Sequence, residues 1–153
     1  MSSPEPPRTY DELERYLPYL VNRLAVLGQA AQKRMLEKGG LNLLAMRTLS
    51  ILHIEDGLTI NEIAERTFTE QSSTSRAIDA MVSQGLVKRR IPAHDQRRRE
   101  IALTDRGREQ LMQSWPTMHD HFGILIEGMA AEHLDFCRTA LTQMLANLAR
   151  VAP

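Results

Sequence analysis

Apolar residues recur at alternating steps of three and four near each end of the chain, which is the spacing of one face of a helix. The first stripe runs from Leu13 to Met35. Pro18 lies inside it, and an interior proline removes a helical hydrogen bond, so we expect either a kink or a separate short turn before a helix over residues 18–37. The last helix is predicted over residues 131–150, where the stripe is formed by Leu134, Cys137, Leu141, Met144, Leu148 and Val151.

The middle of the chain shows shorter helical patterns. A helix is predicted over residues 41–54. The next one opens at Thr59, because Thr59 and Glu62 have the spacing of a capping box, in which each end of the pair satisfies a free backbone N–H. A further helix is expected over residues 70–84, and Gly85 ends it.

A change from helical spacing to alternation follows this helix. Strands are predicted over residues 86–91 and 100–103, joined by a loop, and a fifth helix is expected over residues 104–128 with a kink at Pro116. Two short helices separated by a tight turn and followed by two strands are typical of a winged helix-turn-helix. The predicted fold class is therefore mainly α with a small β-hairpin.

These elements divide the chain into four segments. We expect a disordered N-terminus over residues 1–9, an N-terminal dimerisation helix over residues 10–40, the winged helix-turn-helix over residues 41–104 and C-terminal dimerisation helices over residues 105–153. The two apolar stripes have no obvious partner within so small a winged unit, which favours a homodimer in which each arm meets its copy. The alternative is that both arms pack back on their own chain.

The charge of the chain is balanced overall but concentrated locally. Hydrophobic residues make up 42% and charged residues 25% of the 153 residues, as in an ordinary globular protein. Six of the nineteen basic residues fall between Lys88 and Arg99, against one acid, Asp95. This concentration predicts local contact with phosphate, and a solvated charged hairpin is the alternative. A single cysteine, no signal-peptide pattern and no apolar run of membrane-spanning length predict a cytoplasmic protein without membrane contact.

The helix over residues 70–84 begins with short polar side chains that carry almost no charge. They are Gln71, Ser72, Ser73, Thr74, Ser75 and Arg76. Helix interiors rarely favour so many hydroxyl groups, whereas reading base edges and phosphates requires donors and acceptors of this kind. A capped surface helix is the alternative. The neighbouring basic hairpin favours double-stranded DNA as the partner.

Several of these fragments, in this order and spacing, resemble the multiple-antibiotic-resistance regulator (MarR) family of bacterial transcription factors. The resemblance covers nearly the whole chain, over residues 20–148. It rests on Leu58-Thr59-x-x-Glu62-Ile63-Ala64, Ser75-Arg76-x-Ile78-Asp79, Gly85-Leu86-Val87, Asp95-x-Arg97-Arg98 and Leu103-Thr104-x-x-Gly107.

The resemblance implies a homodimer that presents two winged units to DNA. It implies that residues 72–76 enter the major groove, that Arg97 at the wing tip reaches the minor groove, and that Asp95 holds the wing's geometry. Arg98 stands where the family often carries a small residue, which predicts a more basic wing. The candidate DNA contacts are Gln71, Ser72, Ser73, Thr74, Ser75, Arg76, Arg89, Arg97, Arg98 and Arg99.

Members of the family often respond to phenolic or aromatic-acid ligands, which implies a small-molecule effector. We expect its pocket where the fifth helix leaves the winged unit, lined by some of Met46, Trp115 and His119. Core packing is the alternative role for Trp115, since large aromatic side chains mostly serve cores. Cys137 lies on the apolar stripe of the last helix, so we expect it to be a core residue rather than a redox sensor.

These patterns, together with what the family resemblance implies, predict the function of a repressor. As a homodimer it binds a pseudo-palindromic operator and is released by a small aromatic or acidic effector. The alternatives are a winged-helix module that binds protein, or a redox- or metal-sensing regulator of the same fold, for example through His119. No glycine-rich phosphate loop and no set of nucleophile, base and orienting residue occurs in the sequence, so neither an enzyme nor a bound cofactor is expected.

Overall fold

A computed structural model of the chain describes residues 5–37 and 39–151. Over these residues it contains seven helices and two strands, which are, in chain order, α1 (Tyr10–Leu13), α2 (Leu17–Glu37), α3 (Leu43–Ile54), α4 (Ile60–Thr67), α5 (Gln71–Ser83), β1 (Val87–Arg90), β2 (Glu100–Leu103), α6 (Asp105–Leu125) and α7 (Ala131–Ala149). This architecture confirms the predicted fold class.

The chain divides into two compact units, and the boundary between Met118 and His119 lies inside α6. The first unit carries α1 to α5, both strands and the first part of α6. The second carries the rest of α6 together with α7.

The hydrophobic core of the first unit lies between α3, α4, α5 and the two strands. Leu49, Ile63, Ile78 and Ile101 come from four of these elements, and each is at most 1% exposed. Burying one side chain of this size stabilises a fold by about 1.5–3 kcal/mol. The three-four spacing of the middle helices therefore marks the face that builds this core.

The middle helices have caps at their ends, of which the capping box before α4 and the glycine after α5 were predicted. Asn42 caps α3 through a side-chain oxygen that accepts from the Ala45 N–H at 2.8 Å. Both hydrogen bonds of the capping box before α4 are present, with the Glu62 carboxylate accepting from the Thr59 N–H at 2.7 Å. Gly85 has a positive φ of 72° just after α5, a conformation that glycine adopts without steric cost.

The hairpin is a two-stranded antiparallel sheet. Its register places Val87 opposite Leu103 and Arg90 opposite Glu100. Leu58 adds an isolated bridge to the outer side of β2, where the Ile101 N–H donates to the Leu58 carbonyl at 2.7 Å. The segment before α4 is thereby tied to the wing, and the pair formed by Arg90 and Glu100 lies beside that junction.

The two prolines that were expected to disturb helices behave differently from each other. Pro18 lies in the first turn of α2, and a separate four-residue helix, α1, precedes it, so the second of the two predicted alternatives is the one found. Pro116 lies inside α6, which runs as one helix from Asp105 to Leu125, and the kink expected there stays a prediction.

The apolar stripes of the long helices lie on the surface of the chain. Leu36 is the one buried residue of α2, and all nineteen residues of α7, each of them described, are at least partly exposed. Leu141 and Leu148 are 47% and 65% exposed. Cys137, expected to be a core residue, is exposed on α7 within the single chain, because no described side chain covers that face. Among the described residues, no helix is long and apolar enough to span a membrane.

Candidate nucleic-acid interface

The turn between α4 and α5 sets the angle at which α5 is presented. Phe68 ends α4 in the left-handed region with φ of 54°, and its N–H donates to carbonyls of α4. The Thr67 hydroxyl is buried and donates to the Ile63 carbonyl at 2.8 Å, so its hydrogen-bonding requirement is satisfied within the core. This turn leaves the first turns of α5 at the protein surface. Phe68 itself is 93% exposed.

The polar start of α5 is partly exposed, as the sequence predicted. Gln71, Ser72 and Arg76 are exposed, and Ser73 and Ser75 are half-buried. These five residues form a surface rich in hydrogen-bonding groups at the N-terminal end of a thirteen-residue helix.

The structure corrects the prediction for Thr74, which was expected to contact DNA. Its side chain is completely buried, and its hydroxyl donates to the Glu70 carbonyl at 3.2 Å. A threonine fits here because this internal hydrogen bond satisfies its polar atom while the methyl group packs. Helical spacing carries the signal that was missed, since Ile78 follows one turn later on the same buried face.

The loop between β1 and β2 is shaped by Asp95. Its carboxylate accepts a hydrogen bond from the Arg97 N–H at 2.9 Å, and its carbonyl accepts from the Arg98 N–H at 3.2 Å. The Arg97 side chain is exposed, while Arg99 donates to the carbonyl of Gln96 at 2.7 Å. The Arg97 guanidinium is thus presented at the tip of the wing, in a turn that the backbone N–H of Arg97 stabilises.

Arg98 occupies a different position from its two neighbours. Its guanidinium donates to the Glu62 carboxylate at 2.8 Å and to the Glu100 carboxylate at 3.0 Å. Its side chain is 32% exposed, which is less than expected of a residue that reaches out to phosphate. The structure therefore places Arg98 in an ion network that joins the wing to α4.

A second arginine completes this network. Arg90 donates to Glu100 at 2.7 Å and to Asp56 at 3.1 Å. Asp56 uses its other oxygen to accept from the Leu103 N–H at 2.8 Å. The sequence pattern alone did not single out Arg90, Glu100 or Asp56. The usable signal was the strand register, which sets the basic Arg90 opposite the acidic Glu100 where the loop joins the two strands.

The carboxylates of this network are held ionised. The hydrogen bond from Arg90 lowers the pKa of Glu100, with Arg98 adding to the effect and burial opposing it. The backbone N–H of Thr59 lowers the pKa of Glu62, again assisted by Arg98 and opposed by burial. Both groups therefore carry a full negative charge at neutral pH.

Arg89, another candidate contact, is exposed and ion-paired with Asp79 of α5. This pair connects β1 to the exposed face of α5. Both side chains are more than half exposed, at 51% and 58%, and exposed ion pairs of this kind are weak, so Arg89 remains free to exchange partners.

The residues expected to line an effector pocket lie in different environments. Met46 is only 3% exposed and belongs to the core, whereas Trp115 is 53% exposed on α6. His119 is exposed and begins the second unit. One open groove of about 500 Å³ lies elsewhere, beside the turn before α5, and includes Phe68 and Gln71.

The side chains that the structure describes form no cluster that could hold a metal ion. Over residues 5–37 and 39–151, no three histidine, cysteine, aspartate or glutamate side chains converge in such an arrangement. The ionisable groups that do converge are those of the arginine–carboxylate network.

A helix-turn-helix with an exposed polar start to its second helix, followed by a basic two-stranded wing, defines a winged-helix DNA-binding protein. The chain belongs to the MarR family of transcriptional regulators, and the sequence model of that family matches residues 39–98. It is thus a DNA-binding transcriptional regulator.

Solved structures support this assignment. A MarR family regulator from Silicibacter pomeroyi is 35% identical, with 88% of this chain and 91% of that chain covered and a TM-score of 0.78. A second MarR family regulator from Silicibacter pomeroyi is 30% identical over 95% of this chain and 97% of its own, with a TM-score of 0.85. The MepR–DNA complex from S. aureus shares the fold, at 24% identity, coverage of 88% and 98%, and a TM-score of 0.75. A comparison with curated protein sequences gives no significant match.

Proposed function

We propose that this regulator is a homodimeric repressor that binds a pseudo-palindromic operator and is released by a small aromatic or acidic effector. The observation that carries the proposal is the pairing, within one folded unit, of the exposed start of α5 with the arginine-bearing wing tip. The first suits base edges in the major groove, and the second suits a narrow minor groove, where negative potential is concentrated. Such a protein acts where its operator DNA is, so we place it in the cytoplasm.

The proposed DNA contacts follow from exposure and charge. Side chains of α5 would read bases, and the arginines of the wing would contact phosphate or the minor groove. Asp95 would shape the loop, Thr74 is left out because it is buried, and Arg98 is treated separately below. The proposed set is Gln71, Ser72, Ser73, Ser75, Arg76, Arg89, Arg97 and Arg99.

Dimerisation is supported by the exposed apolar residues of α2 and α7. Leu24 and Leu27 of α2 are 54% and 57% exposed, and Leu141 and Leu148 of α7 are similarly uncovered. Monomeric soluble proteins rarely expose large contiguous apolar surfaces, so a second copy of the chain is the expected cover. Two winged units, each formed by residues 41–104 and called the head below, would bind half-sites about 34 Å apart in one dimer, one turn of DNA.

The proposed effector is defined by its chemical class alone. Trp115 supports an aromatic ligand, because its ring is half exposed on α6, the helix that leaves the winged unit. Met46 would contribute only if ligand binding opened the core around it. The expected ligands are phenols and aromatic acids, as is frequent in the family that the sequence resembles.

The test is selection of DNA from a randomised duplex library by the purified full-length protein. We expect an inverted repeat with half-sites one helical turn apart, steep weakening with salt, and release by at least one member of a panel of aromatic acids. Affinity that does not change with salt would favour the protein-binding alternative, because phosphate contacts release counterions. Selection of a single half-site would contradict the dimeric arrangement.

A further inference from the structure

Arg98 connects three parts of the winged unit that are distant in sequence. One Nη atom donates to both oxygens of Glu62, at 2.8 and 3.2 Å, and lies 3.3 Å from the carbonyl oxygen of Gly57. The Nε atom donates to Glu100 at 3.0 Å. The wing loop is thus tied to the first turn of α4 and to the segment before it.

Glu100 is the centre of this arrangement. Its side chain is 8% exposed, and it accepts from Arg98 through one oxygen and from Arg90 through the other. A nearly buried carboxylate needs such partners, because removing one of them leaves an uncompensated charge. We call the connected residues Glu62, Arg98, Glu100, Arg90 and Asp56 the wing clamp.

Gly57 shows how closely the clamp is built against the backbone. A Cβ atom at this position would lie 2.4 Å from an Nη atom of Arg90 and 3.0 Å from a carboxylate oxygen of Glu100. The residue also has a positive φ of 81°. No ordinary side chain fits there while the clamp is closed, so the backbone and the ion network depend on each other.

We propose, on the basis of the DNA-binding function above, that Arg98 is a positioning residue that fixes the wing so that the adjacent Arg97 meets DNA. Arg98 does not itself neutralise a phosphate. Turning it toward DNA would break its bonds to Glu62 and Glu100 and would leave the Glu100 carboxylate short of a partner. The extra basic residue of this wing therefore acts within the protein.

The sign of one substitution distinguishes this role from a phosphate contact. In Glu62→Gln the capping box of α4 is retained, because glutamine serves at that position as glutamate does, but Arg98 loses a charged partner. If Arg98 contacted phosphate, removing a nearby negative charge would tighten DNA binding. If Arg98 positions the wing, the same change weakens binding.

The experiment measures the affinity of full-length variants for the duplex that the wild-type protein selects from a randomised library, over a series of salt concentrations. We expect Arg98→Gln and Glu62→Gln each to weaken binding about tenfold, and the double variant to be no weaker than Arg98→Gln, since residues of one network are not additive. The slope of log affinity against log salt should fall by no more in these variants than in Arg97→Gln, because Arg98 acts through that residue.

Two arginine variants serve as references. Arg97→Gln should lower the salt slope by about 0.9 if one phosphate charge contact is lost. Arg66→Gln removes an ion pair of the same 2.8 Å length, to Glu55 within the winged unit, and should leave affinity near the wild-type value. Tighter binding by Glu62→Gln would show that Arg98 contacts DNA, as would a slope for Arg98→Gln that falls by more than the slope for Arg97→Gln.

A second measurement does not depend on DNA. Amide hydrogen exchange in the free protein should become faster over residues 96–103 in Arg98→Gln and should be unchanged in Arg97→Gln. This measurement tests the positioning role of Arg98 separately from the proposed DNA-binding function, because it can be made even if the protein selects no DNA sequence. Equal exchange in wild type and Arg98→Gln would overturn the positioning role.

Discussion

The winged unit and the long helices that flank it bury their apolar residues to very different degrees. Leu49 and Ile63 in the head are completely buried, whereas Leu141 on α7 and Leu24 on α2 are about half exposed, at 47% and 54%. The head therefore completes its own core within one chain. The apolar stripes on the flanking helices α2 and α7 have the spacing of a helix face that packs against another surface. They can be buried only if a second surface covers them.

The ion pairs of the two regions differ in the same way. Arg98 and Glu62 are 36 positions apart in sequence and half-buried, so their pairing fixes one element against another. Arg138 and Asp135 on α7 are three positions apart and 75% and 70% exposed. Exposed local pairs contribute little to stability. The head therefore has a fixed internal geometry, whereas the exposed faces of the flanking helices are available for contact with another protein surface.

The largest expected effect is that of a charge placed on the uncovered stripe of α7. Leu141→Glu should dissociate the dimer and abolish operator binding, because an unpaired carboxylate would be buried between the subunits. Light scattering over a range of protein concentrations measures the first effect, and titration of the selected duplex measures the second.

The matched control is Gln143→Glu, which adds the same charge two positions further along α7, on the opposite side of the helix. It should remain dimeric and bind DNA. If the wild-type protein is a stable monomer, this comparison between the head and the flanking helices fails, because the apolar stripes would then have no second subunit to cover them.

A smaller effect is expected from a cavity in the head. Leu49→Ala should lower the free energy of unfolding by about 2–5 kcal/mol, the usual range for this change in a well-packed core. Ile54→Ala on the same helix is the control, because that side chain is 85% exposed, and it should change stability little. Denaturant unfolding compares them. Similar losses in both variants would mean that the head does not hold its core independently.

The sequence predicted the parts of this molecule that depend on local rules. The capping box of Thr59 and Glu62, the glycine after α5 and the two short strands each depend on a few neighbouring residues, and all were found. The family resemblance added the roles expected of the wing and of the start of α5. These features need no knowledge of which distant residues meet.

The sequence did not predict what depends on distant contacts. Arg98 looked like one of several basic wing residues, and only the folded chain brings it to Glu62, 36 positions away. Thr74 looked like its polar neighbours, although the core covers it. Charge and polarity are visible in a sequence, but the partner that satisfies them is not.

Recognition of sequence by α5 should have a moderate effect that is confined to specific DNA. Arg76→Ala should cost about 1–3 kcal/mol on the selected operator if the guanidinium makes a bidentate base contact, and less on random DNA. Arg76→Lys keeps the charge without the planar fork and should lose much of the same preference. Equal losses on operator and random duplexes would reduce Arg76 to a backbone contact.

The smallest expected effect concerns acid and the ion network of the head. Because the pKa values of Glu62 and Glu100 are lowered by folding, these groups favour the folded state when they are ionised. That contribution is fully present above the ordinary glutamate pKa of about 4.3 and is lost as the pH falls through the lowered values. The difference in urea midpoint between the wild-type protein and Arg98→Gln should therefore be constant near neutral pH and should shrink below pH of about 4.

Asp135→Asn, which removes the exposed pair on α7, is the control from the flanking helices. It should leave the midpoint near the wild-type value at neutral pH, because exposed local pairs add little. A wild-type advantage over Arg98→Gln that persists unchanged into acid would show that Arg98 stabilises the wing by packing, without its carboxylate partners.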